Sequence, residues 1–104
     1  MALRWLGGAT EKDLEIREIR KNLLGFWKDS SGSTYEVTPS TIKSMLSVLT
    51  TRKDGQRRFT KDLIDTGCYE VLWGRGAKQF LGVVAATQVT WRRDGAIFNW
   101  TKLQ

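Results

Sequence analysis

The sequence predicts a mainly β domain, in which about eight antiparallel strands form a meander that closes into a small barrel or curved sheet, preceded by one amphipathic helix. A hairpin-like unit that recurs four times predicts the strands. Each unit has a large residue, a polar tip, a glycine and an aromatic residue. The units run from Trp27 to Tyr35, Thr51 to Phe59, Trp73 to Phe80 and Trp91 to Phe98. Glycine and Asp-Gly supply the positive φ of tight turns, and closure removes exposed sheet edges.

The N-terminal part of the chain predicts an arm and a helix. Residues 1–9 are expected to be a flexible apolar arm, and residues 10–104 a single domain. The helix is predicted over residues 10–24, since the segment from Thr10 to Asp13 resembles a capping box and Gly25 is a typical stop. Four apolar residues at helical spacing form its stripe: Ile16, Ile19, Leu23 and Leu24.

The four hairpins are predicted in the β region 26–103, where apolar and polar residues alternate with a period of two. Val89 and Trp91, for example, alternate with Thr90 and Arg92. Residues 42–49 are ambiguous. Their apolar positions fit a helical stripe, whereas their Ser, Thr and Val content favours a strand. We assign a strand there and keep a helix as the alternative.

The composition excludes several kinds of site. The chain has no histidine, and its single cysteine is Cys68. Cys/His zinc sites and His-dependent nucleophilic catalysis therefore cannot be assembled, and no enzyme activity, metal or cofactor is predicted. Cys68 is expected to be a small buried hydrophobe, with a reactive thiol as the alternative. The apolar runs are too short for a membrane span and the first residues do not resemble a signal peptide, so we expect a cytoplasmic protein without a membrane partner.

Positive charge concentrates at the predicted hairpin tips. The chain carries a formal charge of +6. Nine bases belong to the tips: Lys28, Arg52, Lys53, Arg57, Arg58, Arg75, Lys78, Arg92 and Arg93. Only three acids accompany them: Asp29, Asp54 and Asp94. Because alternate connections of a meander share one end, these tips are expected to form a basic pole that attracts a polyanion such as nucleic acid. The alternative is that the charges only keep exposed tips soluble.

The aromatic residues leave a second function open. An eight-stranded barrel can hold one small molecule. The side chains expected to line such a pocket are Trp27, Tyr35, Trp73, Phe80, Trp91, Phe98 and Trp100. Simple core packing explains the same residues, because tryptophan has a large apolar surface to bury.

The start of the β region resembles known barrel families. Gly25-Phe-Trp27 is similar to the G-x-W that opens calycin barrels such as lipocalins, and residues 25–38 are similar to the first avidin hairpin. The resemblance implies an eight-stranded barrel, in which the positions of Asp29 and Ser33 contact the ligand. The later Ser/Thr and Asp ligands of avidins have no match in the rest of the chain, so the resemblance does not extend to biotin.

Three functions follow from these patterns. The first is a non-enzymatic module that binds a polyanion through the tips, and the second is a small-ligand barrel. The third is a protein-interaction domain that forms homo-oligomers through the N-terminal arm and helix, where Leu3, Trp5 and Leu6 form an apolar group.

Overall fold

The computed structural model describes residues 11–67, 70–74, 76 and 79–103. The predicted arm lies outside these residues, as do Cys68, Arg75 and Lys78. One helix, α1, spans Glu11–Leu23. The strands are β1 (Gly25–Lys28), β2 (Thr34–Pro39), β3 (Met45–Thr51), β4 (Arg57–Asp65), β5 (Val71–Trp73), β6 (Phe80–Val84), β7 (Gln88–Arg93) and β8 (Ala96–Lys102). They form a closed antiparallel barrel, which confirms the predicted fold class.

The strand order separates the barrel into two ends. Each strand pairs with the next along the chain, and β8 pairs with β1. Connections 29–33, 52–56, 74–79 and 94–95 therefore share one end, which we call the tip end. Connections 40–44, 66–70 and 85–87 share the other end, where α1 enters β1; we call this the helix end.

The helix packs its C-terminal half against the helix end of the barrel. Leu23 is fully buried, and Ile19 and Leu24 pack against the core. Arg20 Nη1 donates a hydrogen bond of 2.8 Å to Thr66 Oγ1 in connection 66–70.

Among the described residues, no helix is long and apolar enough to cross a membrane.

Lys102 joins the last strand to the helix. Its Nζ donates to the carbonyl oxygens of Asn22 at 3.0 Å and Leu24 at 2.7 Å, and lies 4.5 Å from the Trp27 ring centroid. Trp27 Nε1 in turn donates to Leu23 O at 2.8 Å. These donors satisfy carbonyls that the end of a helix leaves without backbone partners. They also support the β1–β8 seam, where two pairs of the described residues are in register, Trp27 with Lys102 and Lys28 with Thr101.

Inward aromatic residues pair across three of the four hairpins. The cross-strand pairs are Trp27↔Tyr35, Trp73↔Phe80 and Trp91↔Phe98. The second hairpin differs, because its Thr51 pairs with Arg57. Its Phe59 pairs with Leu49 instead and is 60% exposed. The repeat seen in the sequence is thus an inward aromatic pair in three hairpins and a polar hairpin in the second.

The ambiguous segment 42–49 is a strand only in its second part. Strand β3 begins at Met45, so the predicted start at Ile42 was too early. Residues 40–44 turn instead, closed by a bond of 3.0 Å from Met45 N to Ile42 O. The apolar spacing that resembled a helix includes Ile42, which is exposed, and Leu46, which is buried in the barrel.

A bulge redirects the middle of β4. Leu46 pairs with Ile64 and Val48 with Thr60, so residues 61–63 stand opposite Ser47 alone. Asp62 takes a φ of 54°, and its N–H donates to Ser47 Oγ at 3.1 Å. Bulges bend the strand that carries them. In the described residues β4 pairs with β5 at only two positions, which leaves the tip-end half of β4 without β5 beside it.

Gly82 makes room for a buried tryptophan. It pairs with Trp91 across β6 and β7, and a β-carbon at Gly82 would lie 2.6 Å from Trp91 Cζ3. Gly82→Ala should therefore lower the free energy of unfolding by about 1–3 kcal/mol, since overpacking forces a ring or a backbone to move. Urea unfolding measures this change. Gly95→Ala is the control, because nothing lies within 4 Å of a β-carbon there; an equal loss in both variants would contradict the account.

Lys102→Met tests the connection between helix and seam. Removing a charged donor from two helix-terminal carbonyls should lower the free energy of unfolding by about 2 kcal/mol. Lys43→Met is the control, since Lys43 is exposed in connection 40–44. Chemical denaturation of both variants gives the comparison. A Lys102→Met protein as stable as the control would show that these bonds do not hold the seam.

Candidate functional site

Seven of the nine predicted basic residues lie at or beside the tip end. They are Lys28, Arg52, Lys53, Arg57, Arg58, Arg92 and Arg93. The other two, Arg75 and Lys78, belong to connection 74–79 and lie outside the described residues. The three acids of the tips, Asp29, Asp54 and Asp94, are in described connections. Positive charge therefore exceeds negative charge at this end among the described residues.

The basic side chains do not all occupy the same surroundings. Arg93 places its guanidinium carbon 4.5 Å from the Phe80 ring centroid, so it covers an aromatic pair at the mouth of the barrel. Lys28 lies on the outer side of the β1–β8 seam, along a groove that Asn99 and Thr101 also line. The methylenes of Lys53 lie against Gly32, where a β-carbon would be 3.4 Å from Lys53 Cδ. The first two hairpin tips are therefore in contact.

Three arginines converge on one cleft at the tip end. The cleft has a volume of about 610 Å³, and Arg52, Arg57 and Arg58 of the second hairpin line it. Tyr35 and Trp73 line its core side. No carboxylate is among the described residues around it. The cleft thus combines three positive charges with two aromatic rings.

The cleft lies where the barrel lacks a fourth aromatic pair. The inward row that begins with Trp27 and Tyr35 continues through Thr50 and Arg58. A threonine and an exposed arginine leave the space that an aromatic pair fills in the other hairpins. In the same region, and among the described residues, β4 runs from the bulge at Asp62 toward the tip end without a paired residue of β5. Sequence composition and strand geometry therefore produce the cleft together.

Most aromatic residues predicted to line a pocket pack against one another instead. Trp27, Trp91 and Trp100 have no exposed surface. Trp100 lies with its centroid 6.0 Å from that of Trp27 and 5.1 Å from that of Trp91. Phe80 and Phe98 are 5.1 Å apart and partly buried. Of the seven predicted residues, Tyr35 and Trp73 are those that line the arginine cleft.

Trp73 is held in a defined orientation. Four rings form T-shaped pairs with it, at interplanar angles of 82° for Tyr35, 69° for Trp91, 75° for Trp100 and 90° for Phe98. The ring of Tyr35 stacks on Trp100 at 4.5 Å and 26°. Edge-to-face and offset-stacked rings are the favourable arrangements for aromatic pairs. Both cleft rings are therefore positioned before any ligand arrives.

Asp29 organises the first hairpin turn. Its Oδ1 accepts hydrogen bonds from Ser31 Oγ at 2.6 Å, Ser31 N at 2.9 Å and Ser33 N at 3.1 Å. Tyr35 donates its hydroxyl to Asp29 Oδ2 at 2.5 Å. Burial alone would raise the pKa of Asp29, but the hydrogen bonds from Ser31, Tyr35 and Ser33 outweigh it and hold the pKa below its ordinary value. Burial and the Asp29 carboxylate raise the pKa of Tyr35, which keeps the phenol protonated as a donor.

The two positions singled out by the avidin resemblance thus bond within their own turn. Asp29 is engaged by Ser31, Ser33 and Tyr35, and Ser33 is buried. In this structure they shape the turn and fix Tyr35. The hydroxyl of Tyr35 is committed to Asp29, so its ring is the part available to the cleft.

Thr50 and Thr60 were not among the predicted site residues, although both line the cleft. The signal was present in the repeat, since the second unit starts with Thr51 where the other three start with tryptophan. Which of the two neighbouring threonines, Thr50 or Thr51, points inward depends on the strand register, in which Tyr35 pairs with Thr50. The sequence pattern does not specify this register.

Within the described residues, no group of three or more acidic or Cys side chains could hold a metal ion.

Comparison with known proteins adds no further constraint on the site. The chain matches no protein-family model, no curated protein and no solved structure. The geometry and charge of the tip end are therefore the indications of function that this chain offers.

Asp29→Asn should lower the free energy of unfolding at neutral pH by about 1 kcal/mol, because it weakens charge-assisted hydrogen bonds. A carboxyl whose folded pKa lies below its ordinary value of 3.8 stabilises the fold fully above that pH. This stabilisation is lost as the pH falls through the folded pKa, so the difference between variant and parent should shrink there.

Urea unfolding at several pH values below and above about pH 4 measures the effect. Asp54→Asn is the control, because Asp54 accepts a single exposed bond of 3.0 Å from Gln56 N in its turn. A difference between Asp29→Asn and the parent that stays constant across this pH range would show that the Asp29 charge does not stabilise the turn.

Proposed function

We propose that this barrel is a non-enzymatic binding module that takes a phosphate-rich polyanion, such as nucleic acid, at its tip end. The observation that carries the proposal is the cleft, where Arg52, Arg57 and Arg58 converge with no carboxylate among the described lining residues. Guanidinium groups pair bidentately with phosphate and stay charged at any physiological pH.

The surroundings of the cleft support the same ligand. Lys53 and Lys28 extend positive charge along the adjoining tips, and the up-and-down topology collects all four tips at one end. Clustered bases of this kind attract polyanions by releasing condensed counterions, so binding weakens steeply with salt. If the charges served solubility alone, they would not need to converge on a concave surface.

The size of the cleft favours a second candidate, a small anionic ligand. Its volume of about 610 Å³ is within the range of small-molecule sites, and Tyr35 and Trp73 offer apolar surface. Because Trp27, Trp91 and Trp100 fill the barrel interior, such a ligand would occupy the mouth and not the centre. Homo-oligomerisation through the N-terminal arm and helix stays a prediction, since residues 1–9 lie outside the described structure.

Salt dependence tests the proposal. Fluorescence anisotropy of a labelled single strand of about twelve nucleotides, titrated at about 50 and 200 mM salt, should show binding that weakens about a hundredfold, as expected for roughly five phosphate contacts. Absence of binding at the lower salt concentration would overturn the proposal. Binding that ignores salt would also contradict it, and would direct attention to the small-ligand candidate.

A matched pair of triple variants locates the contacts. Replacing Arg52, Arg57 and Arg58 with glutamine should reduce the slope of log K against log salt by about 2. Replacing Arg17, Lys21 and Lys43 with glutamine removes the same charge from exposed residues of α1 and the helix end. This second variant should keep the parent slope. Equal losses in the two variants would mean that net charge, and not the cleft, drives binding.

A further inference from the structure

The cleft holds more than positive charge. Its two aromatic rings are positioned by the core, and its arginines stand on one hairpin beside them. A site for phosphate alone would need only the guanidinium groups. Rings beside phosphate-binding groups are the arrangement by which single-stranded nucleic acids are bound, because every base offers a flat face for stacking.

The space beside the rings suits one unpaired base. Around the barrel, the row of inward residues passes from Trp27 and Tyr35 to Thr50, where an aromatic side chain would complete it. A base could enter the vacant position and contact Tyr35 and Trp73 without moving the core. A base inside a duplex is already stacked on both faces and cannot reach such a position.

The polar groups near this position can both donate and accept hydrogen bonds. Thr50 and Thr60 carry hydroxyl groups, and Gln56 carries a carboxamide, so none of these groups requires a ligand atom of one kind. Tyr35 has its hydroxyl bonded to Asp29 and offers its ring alone. A cleft with these groups would bind any base by stacking, while flanking phosphates meet the arginines.

We propose that the arginine cleft is a subsite for one unpaired base of single-stranded nucleic acid, which stacks on Trp73 and Tyr35 while Arg52 and Arg58 bind the phosphates beside it. This inference rests on the proposed function, because it names the ligand class within polyanion binding. In this arrangement, base stacking and phosphate binding contribute separately to the affinity for the strand, and each contribution can be measured.

Two labelled strands with equal numbers of phosphates separate these contributions. One is an oligothymidylate of about ten nucleotides, and the other is an abasic strand of the same length. One stacked base contributes about 1–3 kcal/mol, so the oligothymidylate should bind about fivefold to a hundredfold more tightly at the same salt concentration. If neither strand binds, the proposed function fails. If both bind equally, polyanion binding stands and the base subsite is overturned.

Two phenylalanine variants locate the base. Thr50 lines the cleft, whereas Thr51, the next residue of β3, points to the outer face because side chains alternate along a strand. Thr50→Phe should place a ring where the base stacks. It should remove the advantage of the oligothymidylate while leaving the affinity for the abasic strand within about twofold. Thr51→Phe adds the same side chain on the outer face beside its cross-strand partner Arg57, so the affinity for both strands can change together while the full advantage of the oligothymidylate should remain.

The outcome is decided by comparing the two variants. Loss of the base advantage in Thr50→Phe alone supports the subsite. An unchanged advantage in both variants, or an equal loss in both, would show that the base stacks elsewhere and would overturn the proposal. Far-UV circular dichroism checks that each variant is folded, and Thr50→Leu replaces Thr50→Phe if the larger ring is not accommodated.

Discussion

The interior volume of the barrel is the constraint on which the rest of the structure depends. Eight strands enclose a space just wide enough for side chains to fill. Here cross-strand aromatic pairs from three hairpins, with Trp100, fill most of it. The fit is close enough that β6 carries a glycine opposite Trp91. At the corresponding positions, the second hairpin has Thr50 paired with Arg58 in place of two aromatic residues. These two side chains do not fill the space, which forms the cleft.

The two ends of the barrel differ in packing and in charge. At the helix end, α1 packs on the core, and Lys102 and Trp27 donate hydrogen bonds to the carbonyl oxygens of Asn22, Leu23 and Leu24, so this end is closed and these carbonyls are paired. The tip end includes the cleft, and among the described residues its positive charges outnumber its negative charges. Because the closed end stabilises the seam between β1 and β8, the tip end can leave a gap in its packing. A cleft built this way would have little to rearrange if the proposed ligand entered it.

The barrel could be predicted from the recurring hairpin unit, and the basic pole from the charges at its tips. Other features depend on contacts distant in sequence. The bond between Lys102 and Asn22 joins residues 80 positions apart, and no local pattern indicates it. The bulge needs Asp62 in a left-handed conformation that aspartate tolerates but does not signal. Whether Thr50 or Thr51 faces the cleft depends on strand register, which a shift of one residue would reverse.

If the ligand binds at the arginine cleft and the adjoining tips, residues there should respond to it and residues at the helix end should not. The most direct test is to map amide and indole N–H chemical-shift changes while a short single strand is titrated into isotope-labelled protein. The account predicts changes in connections 29–33 and 52–56, in the first residues of β4 and at the indole of Trp73, with little change at Leu23 or connection 40–44. Changes concentrated on α1 or on the outer faces of β6 and β7 would contradict it.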